Sequence, residues 1–258
     1  MKSHDVYLVD RVDQMLSDHQ DAYGHLVYDY FKKGVGWEVV ERDDGLIDPS
    51  ELLPAYYFTP YRNWSDRERR ALRLVKGRAL DVGCGAGRVA LYLQNRGFDV
   101  LGIDLSPLAV RVCKLRGLKK VRLLPADKIN RLDGKFDTIL MFGNNFGLFG
   151  SYKRCRAMLK VFYKATSENA RIIAESVDPY RTRDPAHLAY QRRNRKMGRM
   201  SGQVRIRVRY RTYKTPWFDY LLVSQKEMRH LITGTGWRIE ELIKSKEAAY
   251  IAVLGKTR

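Results

Sequence analysis

Between residues 78 and 87 the chain reads Arg-Ala-Leu-Asp-Val-Gly-Cys-Gly-Ala-Gly, an apolar run that ends on an acid and passes into three glycines at alternate positions. A second apolar run, Phe98 to Ile103, closes on another acid, Asp104, twenty-one residues after Gly83. Glycines let a backbone turn tightly and approach a ligand closely, and a carboxylate at the next strand end can accept two ribose hydroxyls. This spacing therefore predicts two parallel strands whose carboxyl ends share a crevice for a nucleoside-bearing ligand.

The glycines alone leave the ligand open. Read from Gly83, a dinucleotide frame G-x-G-x-x-G needs a small residue at 88, where Arg88 stands; read from Gly85, G-x-G-x-x-A is met by Ala90. Asp81 argues against a pyrophosphate, which favours a positive or neutral field. It suits a ligand with a cationic end. The stretch 78–127 resembles the class I S-adenosylmethionine-dependent methyltransferases, whose first motif is an acid followed by G-x-G-x-G.

Strands are expected at about 78–82, 98–103, 121–125, 136–142 and 170–176, with helices at 86–96, 106–116 and 151–166 between them. Such alternation predicts an α/β fold with a parallel sheet and helices on both faces. Ser65 with Glu68 three residues on forms a capping box, and Ser106-Pro107 opens another helix. Residues 5–33 read as one helix, with Val12, Leu16, Tyr23, Leu26, Val27 and Tyr30 on its apolar face. A helix at 225–234 and strands near 237–243 and 248–254 finish the chain. The resemblance implies a doubly wound, seven-stranded, mostly parallel sheet with an antiparallel last strand. Added to it are an N-terminal helical and aromatic extension (1–64) and an antiparallel β insertion. The methyltransferase domain then runs from 65 to 258, with a basic substrate-binding insertion at 179–224.

Charge is unevenly spread. The net charge is +19, yet residues 1–63 carry −6 and the rest +25; within 179–216 twelve Arg or Lys accompany one acid, Asp184. From Val204 onward arginines alternate with apolar residues, putting Arg205, Arg207, Arg209 and Arg211 on one strand face. With Arg192, Arg193 and Arg195 they are candidate contacts to a polyanion, RNA first. The bland reading is an edge strand guarded by charge. Three widely spaced cysteines form neither a disulfide framework nor a metal site. No apolar run approaches a membrane span, and the opening residues lack a signal-peptide pattern, so a cytoplasmic protein without metal is expected.

The resemblance assigns roles. Gly83, Gly85 and Gly87 pass under the methionyl part of the cofactor, Asp81 holds its ammonium, Asp104 its ribose, and Leu105 its adenine face. Ala126 and Asp127 follow the third strand, where an adenine-amine carboxylate is usual, and Phe142 ends the fourth. The loop Gly143-Asn144-Asn145-Phe146 faces the transferable methyl. Asn144, Asn145 and Phe146 are the candidate catalytic residues, an amide to accept an amine proton and a ring to stack on a base. The two prolines common in base-amine methyltransferases are missing. Glu175 and Asp178 are further acceptor contacts. The expectation is a methyltransferase for structured RNA, foremost ribosomal RNA, at a base nitrogen such as the exocyclic amine of cytosine. The chain is also somewhat similar to archaeal ribosomal-RNA cytidine methyltransferases. The alternatives are a methyltransferase for an anionic small molecule and a non-catalytic RNA-binding assembly factor.

Overall fold

The alternation of strand and helix from residue 78 onward closes into one twisted sheet in the computed structural model, which describes residues 16–50 and 52–257. In chain order the elements before the glycine turn are α1 (Ala22–Lys33), β1 (Glu38–Arg42), β2 (Ile47–Ser50), α2 (Leu52–Tyr56), α3 (Asp66–Leu72) and β3 (Ala79–Val82). Next come α4 (Arg88–Asn95), β4 (Val100–Asp104), α5 (Pro107–Leu115), β5 (Val121–Leu123), β6 (Phe136–Met141), α6 (Tyr152–Ala165) and β7 (Thr166–Val177). The rest is α7 (Pro185–Lys196), β8 (Gln203–Tyr210), β9 (Tyr213–Lys214), β10 (Phe218–Leu221), α8 (Gln225–Ile232), β11 (Trp237–Lys244) and β12 (Ala249–Lys256).

The main sheet has the order β11-β12-β7-β6-β3-β4-β5. β3 to β7 are mutually parallel where they pair, and β12 runs antiparallel to both β7 and β11, as expected for this fold. Strand alternation divides the core. Leu80, Ile139, Ile172 and Leu254 pack against α6 and α8, whereas Ala79, Leu140, Ile173 and Val253 pack against α3 and α4. Because both faces are covered, consecutive apolar residues fill the strand centres, as in Ile139-Leu140-Met141 and Ile172-Ile173-Ala174.

Local signals set several ends. The Ser65 capping box is formed in both directions, with Glu68 N donating to Ser65 Oγ at 3.3 Å and Ser65 N to Glu68 Oε2 at 3.0 Å. Ser106 caps α5, accepting from Ala109 N at 2.9 Å, with Pro107 in the first turn. Such caps contribute about 1 kcal/mol each. The N-terminal helix is shorter than its periodicity suggests. Residues 1–15, including Val12, lie outside the described residues, and α1 begins only at Ala22. There Asp21 takes the cap, accepting from Gly24 N at 3.0 Å.

A second, antiparallel sheet has the order β10-β8-β1-β2, with β9 against β8. It joins the N-terminal segment to the insertion, β1 lying directly beside the arginine strand β8. Strand β8 ends at Tyr210, where the alternation predicted strand to Tyr213: Arg211 stands in the turn with φ +51°, off the strand face assigned to it from sequence. No described helix is long and apolar enough to cross a membrane.

Candidate active site

β3 and β4 pair in parallel up to Val82 and Ile103, so the two chains leave the sheet at one edge. Gly83 N and Cys84 N both donate to Ile103 O, and Gly85 N donates to Asp104 Oδ2 at 2.8 Å. Gly85 has φ +54°, and a Cβ there would collide with the Tyr23 hydroxyl. One at Gly83, φ +69°, would lie 2.7 Å from Asn145 Nδ2. Backbone conformation and space both exclude side chains at these two positions. The other oxygen of Asp104 accepts from Ser106 N at 2.9 Å. Burial pushes the Asp104 carboxyl up, against the lowering effect of these N–H donors. Asp81 is 3% exposed and accepts from Ala90 N at 3.2 Å. Burial drives its carboxyl up to about 7, with Arg88 and the Ala90 N–H pulling the other way.

Beyond β5, Asp127 stands in a short helical turn, and its Oδ1 is buried without a hydrogen-bond partner among the described residues. A buried acceptor with nothing to accept is costly until a donor arrives. Leu105, next to Asp104, is 40% exposed. Ala126 packs against the core from its edge, and Phe142 is 5% exposed, its ring in the cluster with Trp64 and Leu140. Cys84 and Cys113, distant in sequence, converge beneath the turn with sulfurs 3.9 Å apart.

The loop after β6 departs from expectation at Phe146. Phe146 is 0% exposed and packs edge-on against Phe149 at 4.9 Å, so its ring fills the core rather than stacking on an acceptor. Asn145 Nδ2 donates to Val82 O and Gly83 O, each at 2.9 Å, and ties the loop to the glycine turn. These bonds use the Asn145 NH2 group, not the Oδ1 acceptor assigned to it from sequence. Asn144 is the more constrained of the two. It adopts φ +65°, and its buried Oδ1 has no partner among the described residues.

The cover over this edge comes from side chains that sequence reading left as ordinary packing or passed over. Glu175, already a candidate at the end of β7, accepts from Gly143 N at 2.8 Å and from Arg67 Nη2 at 2.7 Å. Tyr220 on β10 donates its hydroxyl to Asn144 O at 2.6 Å and lays its ring against Gly147. Tyr57 donates to Glu38 Oε2 at 2.8 Å and meets the Tyr23 ring edge-on at 5.2 Å. The aromatic character of the N-terminal extension was the one sign of it; the contacts span too much sequence for local patterns to show.

The arginine strand has a different fate from the one its composition suggests. Arg207 and Arg209 both pair with Glu41, at 2.8 and 3.2 Å, Arg205 with Asp219 at 3.5 Å, and Arg211 with Asp29 at 3.0 Å. Arg193 lies 3.7 Å from Asp43, and Arg195 donates to Ser201 Oγ at 3.0 Å. The acids come from the negatively charged N-terminal segment and from β10, so the segment without local counter-charges finds them across the second sheet. Arg192, with Lys196 nearby on α7, remains on an exposed basic face. Among the described residues no group of three or more His, Cys, Asp or Glu is placed to hold a metal ion.

Residues 79–169 match the family described as Methyltransferase domain. The ubiquinone biosynthesis O-methyltransferase of Dechloromonas aromatica is 36% identical over 100 residues, 36% of this chain and 42% of that protein. The 2-heptyl-1-hydroxyquinolin-4(1H)-one methyltransferase of Mycobacteroides abscessus is 42% identical over 72 residues, 26% and 32% of the two chains. Matches of this kind span between 26% and 42% of the curated relatives' lengths. An S-adenosylmethionine-dependent methyltransferase from Bacteroides fragilis, solved with S-adenosyl-L-homocysteine, superposes with a TM-score of 0.81 at 27% identity, covering 95% of this chain and 98% of that one. The CcbJ methyltransferase of Streptomyces caelestis shares the fold, with a TM-score of 0.63 at 12% identity over 94% of this chain and 100% of that one.

Proposed function

We propose that this chain, which carries a class I S-adenosylmethionine-dependent methyltransferase domain, transfers the cofactor's methyl group to a small molecule enclosed beneath the second sheet. When bound, S-adenosylmethionine supplies a methyl group on a sulfonium. The residues at the strand ends fit that cofactor. Asp104 suits the ribose diol, the unpartnered Asp127 Oδ1 suits the adenine amine, and the glycine turn admits the methionyl backbone. The protein's share of the rate is then alignment and exclusion of water, since displacement at a sulfonium needs no strong base from a neutral nucleophile.

The observation that carries the small-molecule reading is the cover itself. Tyr220 closes on Asn144, and Tyr23 stands over Gly85, so the acceptor loop lies under a lid made of this chain's own side chains. The RNA reading rested on the basic segment and its row of arginines, and that row is engaged by Glu41, Asp219 and Asp29. The exposed Arg192 face supports only a peripheral contact to an anion. Incubation with radiolabelled S-adenosylmethionine should place label in a metabolite extract and none in tRNA, ribosomal RNA or ribosomal subunits. Label in RNA would overturn the reading and restore the polyanion one.

Asp81 gives the cofactor site a pH dependence. Its folded pKa of about 7 lies above the ordinary 3.8, so the free protein holds extra protons between those values. The associated stability is full below about pH 3.8 and lost as pH rises through 7. A cofactor ammonium favours the carboxylate, which makes affinity follow its deprotonated fraction. S-adenosylhomocysteine affinity should therefore rise about tenfold from pH 6 to pH 8, and Asp81→Asn should flatten the curve. Calorimetric titration at several pH values measures it.

A further inference from the structure

We infer that the acceptor is an amine, gripped as its ammonium by Glu38 within a cage of Tyr23, Tyr57 and Tyr220, and methylated on that nitrogen. This rests on the small-molecule methyl-transfer reading above. Glu38 is the first residue of β1 and 6% exposed; it accepts from Tyr57, whose ring meets that of Tyr23, the residue standing over Gly85. Its only hydrogen-bond partner among the described residues is the Tyr57 hydroxyl, and no described Lys, Arg or His lies within ion-pair distance. Two other buried glutamates are treated otherwise. Glu175 is held by Arg67 at 2.7 Å and Glu68 by Arg88 at 2.6 Å. A carboxylate taken out of water without a cation is normally excluded from a core, so one that persists is a place prepared for a cation.

The surroundings select the kind of cation. Tyr23, Tyr57 and Tyr220 all lie within electrostatic range of Glu38, and burial raises all three phenols, keeping them neutral. Neutral aromatic faces around an acid attract a compact organic ammonium. Two of these tyrosines reach the two segments that meet at the strand ends, the glycine turn and the β6 loop. The Tyr23 hydroxyl sits over Gly85, and that of Tyr220 is bonded to Asn144 O, beside the free Asn144 Oδ1. An amine between them is close to both the cofactor turn and the acceptor loop.

The chemistry balances. The ammonium gives one proton to Glu38, whose carboxyl is raised by burial against the Tyr57 hydrogen bond and is thereby a better proton acceptor. The freed lone pair forms the N–C bond as the C–S bond breaks, its electrons returning to sulfur. The positive charge moves from sulfonium to the methylated nitrogen. Asn144 Oδ1 can accept one of the remaining N–H groups and orient the lone pair.

The test uses the full-length protein, tritiated S-adenosylmethionine and a metabolite extract from cells lacking the gene. Products are resolved on a strong cation exchanger at pH 8 by gradient elution, with unreacted S-adenosylmethionine, itself a retained cation, set aside at its own position. Methylated amines are retained, and neutral or anionic ethers, esters and thioethers pass through. The amine assignment expects label in retained fractions other than that of S-adenosylmethionine. It also expects Glu38→Gln to lose roughly 100-fold or more of that label, in the range typical for a positioned proton acceptor. S-adenosylhomocysteine affinity should be unchanged in Glu38→Gln, and its melting temperature equal to or above that of the wild type, as removal of an uncompensated buried charge requires. A merely structural Glu38 would lower the melting temperature instead. Label in the flow-through, or wild-type labelling by Glu38→Gln, overturns the amine assignment and leaves methyl transfer standing. Failure of the wild type to bind S-adenosylhomocysteine, or absence of label from every fraction, overturns the underlying reading as well.

Discussion

Replacing Asp104 by alanine is expected to weaken S-adenosylhomocysteine binding by about 10² to 10⁴-fold. The residue ends β4, with each carboxylate oxygen already holding a backbone N–H, one from Gly85 and one from Ser106. Those two bonds orient the carboxylate and shape the turn it faces. Two ribose hydroxyls donating to it form charge-assisted hydrogen bonds of roughly 1.5–3 kcal/mol each, which sets the expected range. The Gly85 and Ser106 N–H groups also lose their acceptor, so part of the cost is a turn no longer held for the methionyl group. Asp104→Asn keeps one acceptor and should lose less. Isothermal titration of both variants decides the matter, with helix content from circular dichroism as the control. An alanine variant that binds within threefold of the wild type would remove Asp104 from the cofactor site.

The same residue shows why this half of the site was readable from sequence. From Leu80 to Asp127 the strand ends, the glycines and the caps at Ser106 and Pro107 are each set by neighbours a few residues away, and their periodicity carries the parallel sheet. The other half is assembled across long separations. Glu41 meets Arg207 across 166 residues, which turned a row of apparently unpaired cations into the outer face of a sheet. Glu38 and Tyr220 approach the same edge from opposite ends of the chain. Asn145 and Phe146 were singled out correctly as loop residues. Their roles follow from the depth of the loop, which the order Asn-Phe-Gly does not encode. Phe146 lies in the core, and the Asn145 NH2 group donates to the carbonyls of Val82 and Gly83.

Arg88 is the sharper case, because its misfit was visible and its partners were not. A bulky cation stood where a dinucleotide turn needs a small residue. In the fold its guanidinium lies 4.0 Å from the centre of the Tyr56 ring and 4.3 Å from that of Trp64, and 2.6 Å from Glu68 Oε1. It pins α2, α3 and the aromatic segment onto the first turn of α4, directly behind the glycines. Burial alone would raise the Glu68 carboxyl, but Arg88, Ser65 and the backbone hold it below the usual range. Arg88→Met is expected to destabilise the protein by about 3–5 kcal/mol, because it leaves a buried carboxylate without its cation. For a chain of this size that is a fall in melting temperature of roughly 10 °C or more. The double variant Arg88→Met with Glu68→Leu should recover much of the loss, since no charge is then stranded. The sign with pH is fixed by the lowered Glu68 pKa: the pair's contribution is present above about 4.5 and lost on acidification, so the deficit of Arg88→Met should narrow as pH falls below that value. Thermal denaturation of the two variants at pH 7 and pH 4 tests all three statements. A double variant no more stable than the single one would mean that Arg88 acts by stacking on Tyr56 and Trp64, not by neutralising Glu68.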